Sequence, residues 1–165
     1  MALVAVDVGG TNVRFALADD TGLRQITSLL CEDYPSLEDA FSAYLRTVDS
    51  TVTAASIAVA GPVQAPTVDV TNNGWHFDKR ELMARLGFER LLVVNDFTAQ
   101  ALAQSDPTAH GNQPILAGTS RPDAALLVIG PGTGLGVAAL VSSPAGFVTL
   151  EGEGGHVGFA PQDEA

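Results

Sequence analysis

The chain has 165 residues, 46% hydrophobic and 16% charged, enough to bury a core of ordinary domain size built mostly from Val, Leu, Ile and Ala. Nineteen acidic residues against eight Lys and Arg give a formal net charge of −11, which argues against nucleic acid and anionic membrane as partners. The single cysteine, Cys31, excludes an internal disulfide and a thiolate metal cluster. A free thiol, no basic leader at the N-terminus and no apolar run of roughly 18 residues predict a soluble cytoplasmic protein.

Residues 2–8 form an apolar run ending at a Gly-Gly turn and read as a buried strand; residues 13–18 return from it as the second arm of a hairpin. A third strand is expected over 24–31, with Cys31 as a small buried residue in it. Ser36 with Asp39 resembles a capping box, and Leu37, Phe41, Tyr44, Leu45 and Val48 keep helical spacing behind it. Residues 54–60 read as a strand ended by Gly61-Pro62. A second helix opens at Asp78, with Glu81 three residues on, and stops before Gly87. Residues 91–94 are a strand that delivers Asn95-Asp96 at its C-terminal end, and 97–104 read as helix. From Ser105 to Pro122 the composition turns to loop residues, and 124–129 begins another strand.

Strands with helices between them predict an α/β layer fold. The first three strands leave no room for a helix, so they are antiparallel neighbours and the sheet is mixed. A weak internal repeat accompanies this pattern: ALVAVDVGGTNVRFALA at 2–18 and ALLVIGPGTGLGVAAL at 125–140 both carry strand, Gly-rich turn with Gly-Thr, and strand. Coincidence between two glycine hairpins is the plain alternative.

The turn Asp7-Val8-Gly9-Gly10-Thr11-Asn12 lets backbone N–H groups approach a bulky anion, with Thr11 and Asn12 as side-chain donors. Asp7 suits a hydrated Mg²⁺, which prefers oxygen ligands. An ordinary tight hairpin accounts for this turn equally well on its own. Gly130-Pro131-Gly132-Thr133-Gly134 offers a second nest, and the two together suit a polyphosphate held from both sides. Neither turn is a P-loop, for no Gly-x-x-x-x-Gly-Lys-Ser/Thr occurs, and Leu135 stands where a dinucleotide fingerprint needs its third glycine. Asp96 at a strand's C-terminal end faces the crevice of an α/β sheet and suits a general base; it suits equally a helix cap. Glu151-Gly152-Glu153-Gly154-Gly155-His156 reads either as a loop for a small polar ligand or as a solvated acidic loop. Glu153 and His156 alone are too few for a metal site.

These motifs, together with Thr71-Asn72-Asn73-Gly74-Trp75, Asn95-Asp96-Phe97-Thr98-Ala99, Gly130-Pro131-Gly132-Thr133-Gly134-Leu135-Gly136, Glu153-Gly154-Gly155-His156-Val157 and Phe159-Ala160-Pro161, resemble bacterial glucokinase. The resemblance covers essentially the whole chain. It implies an actin-like ATPase fold (ribonuclease H-like, in the superfamily of hexokinase, actin and Hsp70) and ATP-dependent phosphorylation of glucose at the 6-hydroxyl. It assigns Asp7, Gly9, Gly10, Thr11 and Asn12 to the first phosphate motif, with Asp7 serving Mg²⁺. Thr133 and Gly134 fall in the second. Asn95 is implied as a ligand of the sugar hydroxyls, Asp96 as the base for the 6-hydroxyl, and Glu153 and His156 as groups near the anomeric carbon. Phosphoryl transfer asks for little more than positioning, charge neutralisation and one base. His76 and His110 fall outside these motifs and read as surface residues; Trp75 suits core packing or the sugar side alike.

Family chains are roughly twice as long, so the sequence reads as an N-terminal half: a first lobe over 1–107, then a linker and the start of an incomplete second lobe over 108–165. That start comprises a hairpin, one further strand and a Gly-rich loop, marginal without covering helices, whose apolar face suits a homodimer or a missing half. The chain alone is expected to be inactive. A sugar-sensing regulator of the same superfamily and a non-catalytic half-protein are the competing functions; no DNA-binding module precedes the first phosphate motif.

Overall fold

The computed structural model describes residues 2–71, 73–106, 112–119, 121, 123–131 and 135–152. Two compact units divide the chain, Met1–Asp96 and Phe97–Ala165. In the first, β1 (Leu3–Val8), β2 (Asn12–Asp19) and β3 (Gly22–Leu30) form an antiparallel meander. Helix α1 (Leu37–Leu45) leads to β4 (Ala54–Val59), parallel to β1. A ribbon of β5 (Thr67–Asp69) and β6 (His76–Asp78) runs directly into α2 (Lys79–Leu86), and β7 (Arg90–Asn95) then lies parallel to β4. The sheet order is β3-β2-β1-β4-β7, mixed as the sequence implies.

Alternation along β1 buries Val4, Val6 and Val8 and leaves Leu3, Ala5 and Asp7 on the opposite face. Val13, Phe15 and Leu17 of β2 and Ile57 and Val59 of β4 extend the buried face. Leu37, Ala40, Phe41 and Tyr44 of α1 cover it. Phe15 stacks on Tyr44 with ring centres 4.9 Å apart and meets Phe41 edge-on at 5.1 Å. Truncating one such ring typically costs about 3–5 kcal/mol.

Local signals set both helix boundaries. The Ser36 hydroxyl accepts the Asp39 N–H at 3.2 Å and donates to the Asp39 carboxylate at 2.6 Å. Asp78 accepts the N–H groups of Arg80 and Glu81 at 2.8 and 3.0 Å. At the other end of α2, Gly87 takes φ 72° and the Phe88 N–H closes on the Met83 carbonyl at 2.9 Å, a left-handed stop that favours glycine. Cys31 is buried, but in a short 3-10 turn (Cys31–Asp33) and not in a strand. The ladder ends at the Asn12–Leu30 pair, and the Cys31 N–H turns to the Thr11 carbonyl at 2.9 Å. The ribbon of β5 and β6 has no counterpart in the sequence reading, since three-residue strands are too short to show a period.

In the second unit α3 (Asp96–Ala103) packs Ala101 with Ala138 and Leu140, beside Phe97 and Val128. Strands β8 (Leu126–Pro131), β9 (Leu135–Ser143) and β10 (Gly146–Gly152) make an antiparallel sheet in the order β10-β9-β8. All of α3 after Asp96 falls in this second unit. Gly130 of β8 and Gly136 of β9 are partners in the ladder, and a side chain at either would run into the Phe97 ring. Their smallness thus has a packing cause, independent of any ligand. No helix among the described residues is long and apolar enough to cross a membrane.

Gly136→Ala is expected to destabilise the protein by about 1–3 kcal/mol in denaturant unfolding, as overpacking does. Phe97→Ala should relieve that cost, making the double variant less damaged than the sum of the two. Strict additivity would mean that the ring does not fill this space.

Candidate active site

Three parallel neighbours end in one row. Val8 of β1 pairs with Val59 of β4, and Val59 pairs with Asn95 of β7. The segments that leave these strands therefore emerge at one end of the sheet. They are the Gly9–Asn12 turn, the Ala60-Gly61 turn and Asn95-Asp96. Two interstrand spacings, roughly 10 Å, separate the first strand from the third. The C-terminal end of parallel strands is where open α/β sheets bind ligands.

The first turn is held from behind. The Gly9 N–H donates to the Asn12 carbonyl at 3.0 Å, while the Gly9 carbonyl accepts from Asn73 Nδ2 at 3.1 Å and weakly from the Cys31 thiol at 3.6 Å. Burial pushes the Cys31 thiol above its ordinary pKa, against a smaller opposing effect of Asn73. Every peptide described is trans. A planar trans unit points its N–H opposite to its carbonyl, so the Gly10 N–H faces away from the groups that hold the Gly9 carbonyl. A cleft of about 360 Å³ adjoins the turn, lined by Gly10, Cys31, Tyr34, Asn73 and Trp75 among others. Trp75 is buried, and its ring N–H donates to the Tyr34 carbonyl at 3.2 Å.

Asp7 lies on the sheet face away from the core, half exposed, with Arg14 Nη1 2.8 Å from its carboxylate. The two residues are direct partners across the β1–β2 ladder. Among the described residues no cluster of three or more metal-ligating side chains exists. A lone carboxylate does not make a resident cation site. It does fit Mg²⁺ that keeps most of its waters and arrives with phosphate, which commonly takes only one or two protein carboxylates.

Asn95 donates from Nδ2 to the Gly61 carbonyl at 3.2 Å. Gly61 has φ 136°, and a side chain there would meet the Asp69 carbonyl and the Thr71 hydroxyl, each at 3.1 Å. The Thr71 N–H donates to the Ala60 carbonyl at 3.0 Å, which ties the ribbon to the end of β4. Asp96 is itself the first residue of α3, in the first turn, where a helix dipole favours negative charge.

Of the residues read from sequence, Asp7, Gly9, Gly10, Thr11, Asn12, Asn95 and Asp96 thus come to neighbouring strand ends. Thr133, Gly134, Glu153, His156 and His110 lie outside the described residues. His76 is exposed on β6, 2.6 Å from the Asp69 carboxylate. The sequence gives Arg14, Gly61 and Cys31 no place in the site, and Asn73 only a place in a motif. No local pattern marks any of them, because each acts on a segment distant in sequence or across the ladder.

A glucokinase family model matches residues 3–165. The glucokinase of Hahella chejuensis is 46% identical over 161 residues, covering 96% of this chain and 50% of its own. The structure of a glucokinase from an Antarctic psychrotroph superposes with a TM-score of 0.86 at 36% identity, over 99% of this chain and 53% of the other. That of Balamuthia mandrillaris glucokinase in complex with glucose gives 0.71 at 28% identity, over 99% and 50%. The chain spans about half the length of these relatives. Its mixed α/β architecture is the actin-like ATPase fold expected from the sequence. With the family model matched along nearly its entire length, the chain belongs to the glucokinase family.

Proposed function

We propose that in the whole protein these residues serve the transfer of the ATP γ-phosphoryl group to the 6-hydroxyl of glucose. The observation that carries this reading is the row of strand ends. It sets a glycine turn suited to phosphate two strands from a carboxylate suited to act as base. In this reading Asp96 accepts the 6-hydroxyl proton as that oxygen bonds to the γ-phosphorus and the bond to ADP breaks. Asn95, steadied by Gly61, offers its amide to the sugar hydroxyls, which both donate and accept. Glu153 and His156 hold the hydroxyls near the anomeric carbon. Gly9, Gly10, Thr11 and Asn12 serve as the first phosphate motif, and Thr133 and Gly134 as the second. Mg²⁺, when bound, supplies positive charge against the phosphate oxygens. Asp7 would hold that ion, and Arg14 keeps the Asp7 carboxylate in place. Glucose, ATP and a lone thiol together suit the cytoplasm.

The same reading makes the chain by itself inactive. On one face of the sheet β8–β10, Leu127, Ile129 and Leu150 are more than half exposed, so this apolar face has no cover among the described residues. A second copy and the remaining half of the kinase are the two covers to distinguish, and oligomeric state with and without that half distinguishes them.

In the whole kinase, Asp96→Asn should lower turnover by about 10²–10⁴ while leaving glucose binding largely intact, as loss of a general base does. Turnover within threefold of the parent would remove Asp96 from that role. Glu153→Gln and His156→Ala should each weaken glucose binding by about 1.5–3 kcal/mol, measured calorimetrically. Unchanged affinity in both would move the sugar site elsewhere. The purified chain alone should show no glucose-dependent ATP hydrolysis or transfer; measurable transfer would overturn the inactive reading.

A further inference from the structure

One side chain joins the loop between β5 and β6 to the glycine turn after β1. Asn73 uses both ends of its amide. Its Nδ2 donates to the Gly9 carbonyl at 3.1 Å and lies 3.7 Å from the Cys31 sulfur, while its Oδ1 accepts the Trp75 N–H at 2.9 Å. Trp75 is fixed in turn by burial and by its ring bond to Tyr34. Asn73 is therefore a rigid post, held on one side by the packed loop and pressing on the turn with the other.

We propose that Asn73 is a positioning residue for the nucleotide: by holding the Gly9 carbonyl it aims the Gly10 N–H at the phosphate. The Gly9–Gly10 peptide is planar and trans, so fixing its oxygen fixes the direction of its N–H on the opposite side. A turn built on two glycines needs such a post, since glycine resists neither flip of the peptide plane. The thiol of Cys31 reaches the same oxygen, but at 3.6 Å and as a weak donor. An amide is the side chain suited to the place, because it supplies a donor for Gly9 and an acceptor for Trp75 at once. The inference rests on reading Gly9–Asn12 as a phosphate turn.

Asn73→Asp separates the two bonds. The carboxylate still accepts from the Trp75 N–H but loses the donor to Gly9 and repels its oxygen. In the whole kinase this variant should raise the KM for ATP about tenfold, the effect of one lost hydrogen bond, with the KM for glucose within twofold and the melting temperature nearly kept. An ATP KM within twofold of the parent would overturn the proposal, since the loop bond alone would then be what Asn73 is for. Should Asn73→Asp fail to fold, Asn73→Ala is read instead: a rise confined to ATP supports the proposal, and equal rises for ATP and glucose overturn it. Gly10→Pro, which deletes the N–H in question, runs beside them. If Gly10→Pro weakens ATP and Asn73→Asp does not, the positioning role fails while the phosphate turn stands. If neither weakens ATP, the phosphate turn itself is misread and the proposal falls with it.

Discussion

Parallel pairing of β1, β4 and β7 in one register is the constraint from which the chemistry of the chain follows. Val8, Val59 and Asn95 stand in a single row, so three loops far apart in sequence begin at the same edge. Any slip by one residue would send Asn95 to the other face of the sheet and move Ile57 and Val59 of β4 out of register with the core valines of β1. The register is therefore enforced by the packed face. Val4, Val6, Val8, Ile57 and Val59 reach α1 and its aromatic rings only in this alignment. Core packing and site geometry are two consequences of one ladder.

The period of two along β1 also explains where Asp7 stands. Its neighbours Val6 and Val8 enter the core, so Asp7 must face away, on the side where Ala5, Ser56 and Ala58 keep the surface low. Arg14 comes opposite it across the ladder, and the exposed pair is worth little as stability, about 0–1 kcal/mol. Its use is orientation. In the proposed reaction, a carboxylate at a strand end, steadied by one guanidinium and still half in water, would keep access to a hydrated cation.

Glycines in the two similar hairpins do different work. In the first, Gly9 sits within 3.3 Å of the Asn12 carbonyl at its missing Cβ, and its own carbonyl is held by side chains from elsewhere. In the second, Gly130 and Gly136 make room for Phe97, the residue directly after the candidate base. The second hairpin is thereby packed on α3, the helix that Asp96 begins. Similar sequence patterns thus conceal one turn anchored by hydrogen bonds and one pair of strands that makes room for an aromatic ring.

What the sequence determined by itself was local. Ser36, Asp78 and Gly87 marked helix ends because a cap is satisfied within three or four residues. The Gly-Gly turn and the strand-end Asn95-Asp96 announced themselves because a few adjacent residues carry their chemistry, and family resemblance added the roles. Only tertiary structure decided the strand order, the placing of β5 and β6, the departure of Cys31 from its strand, the attachment of α3 to the second unit, and the bond from Asn73 to Gly9. Those two residues are 64 positions apart. Contacts of that range depend on where a sheet register brings distant loops, and no periodicity, composition or cap along the chain encodes that meeting in any one segment.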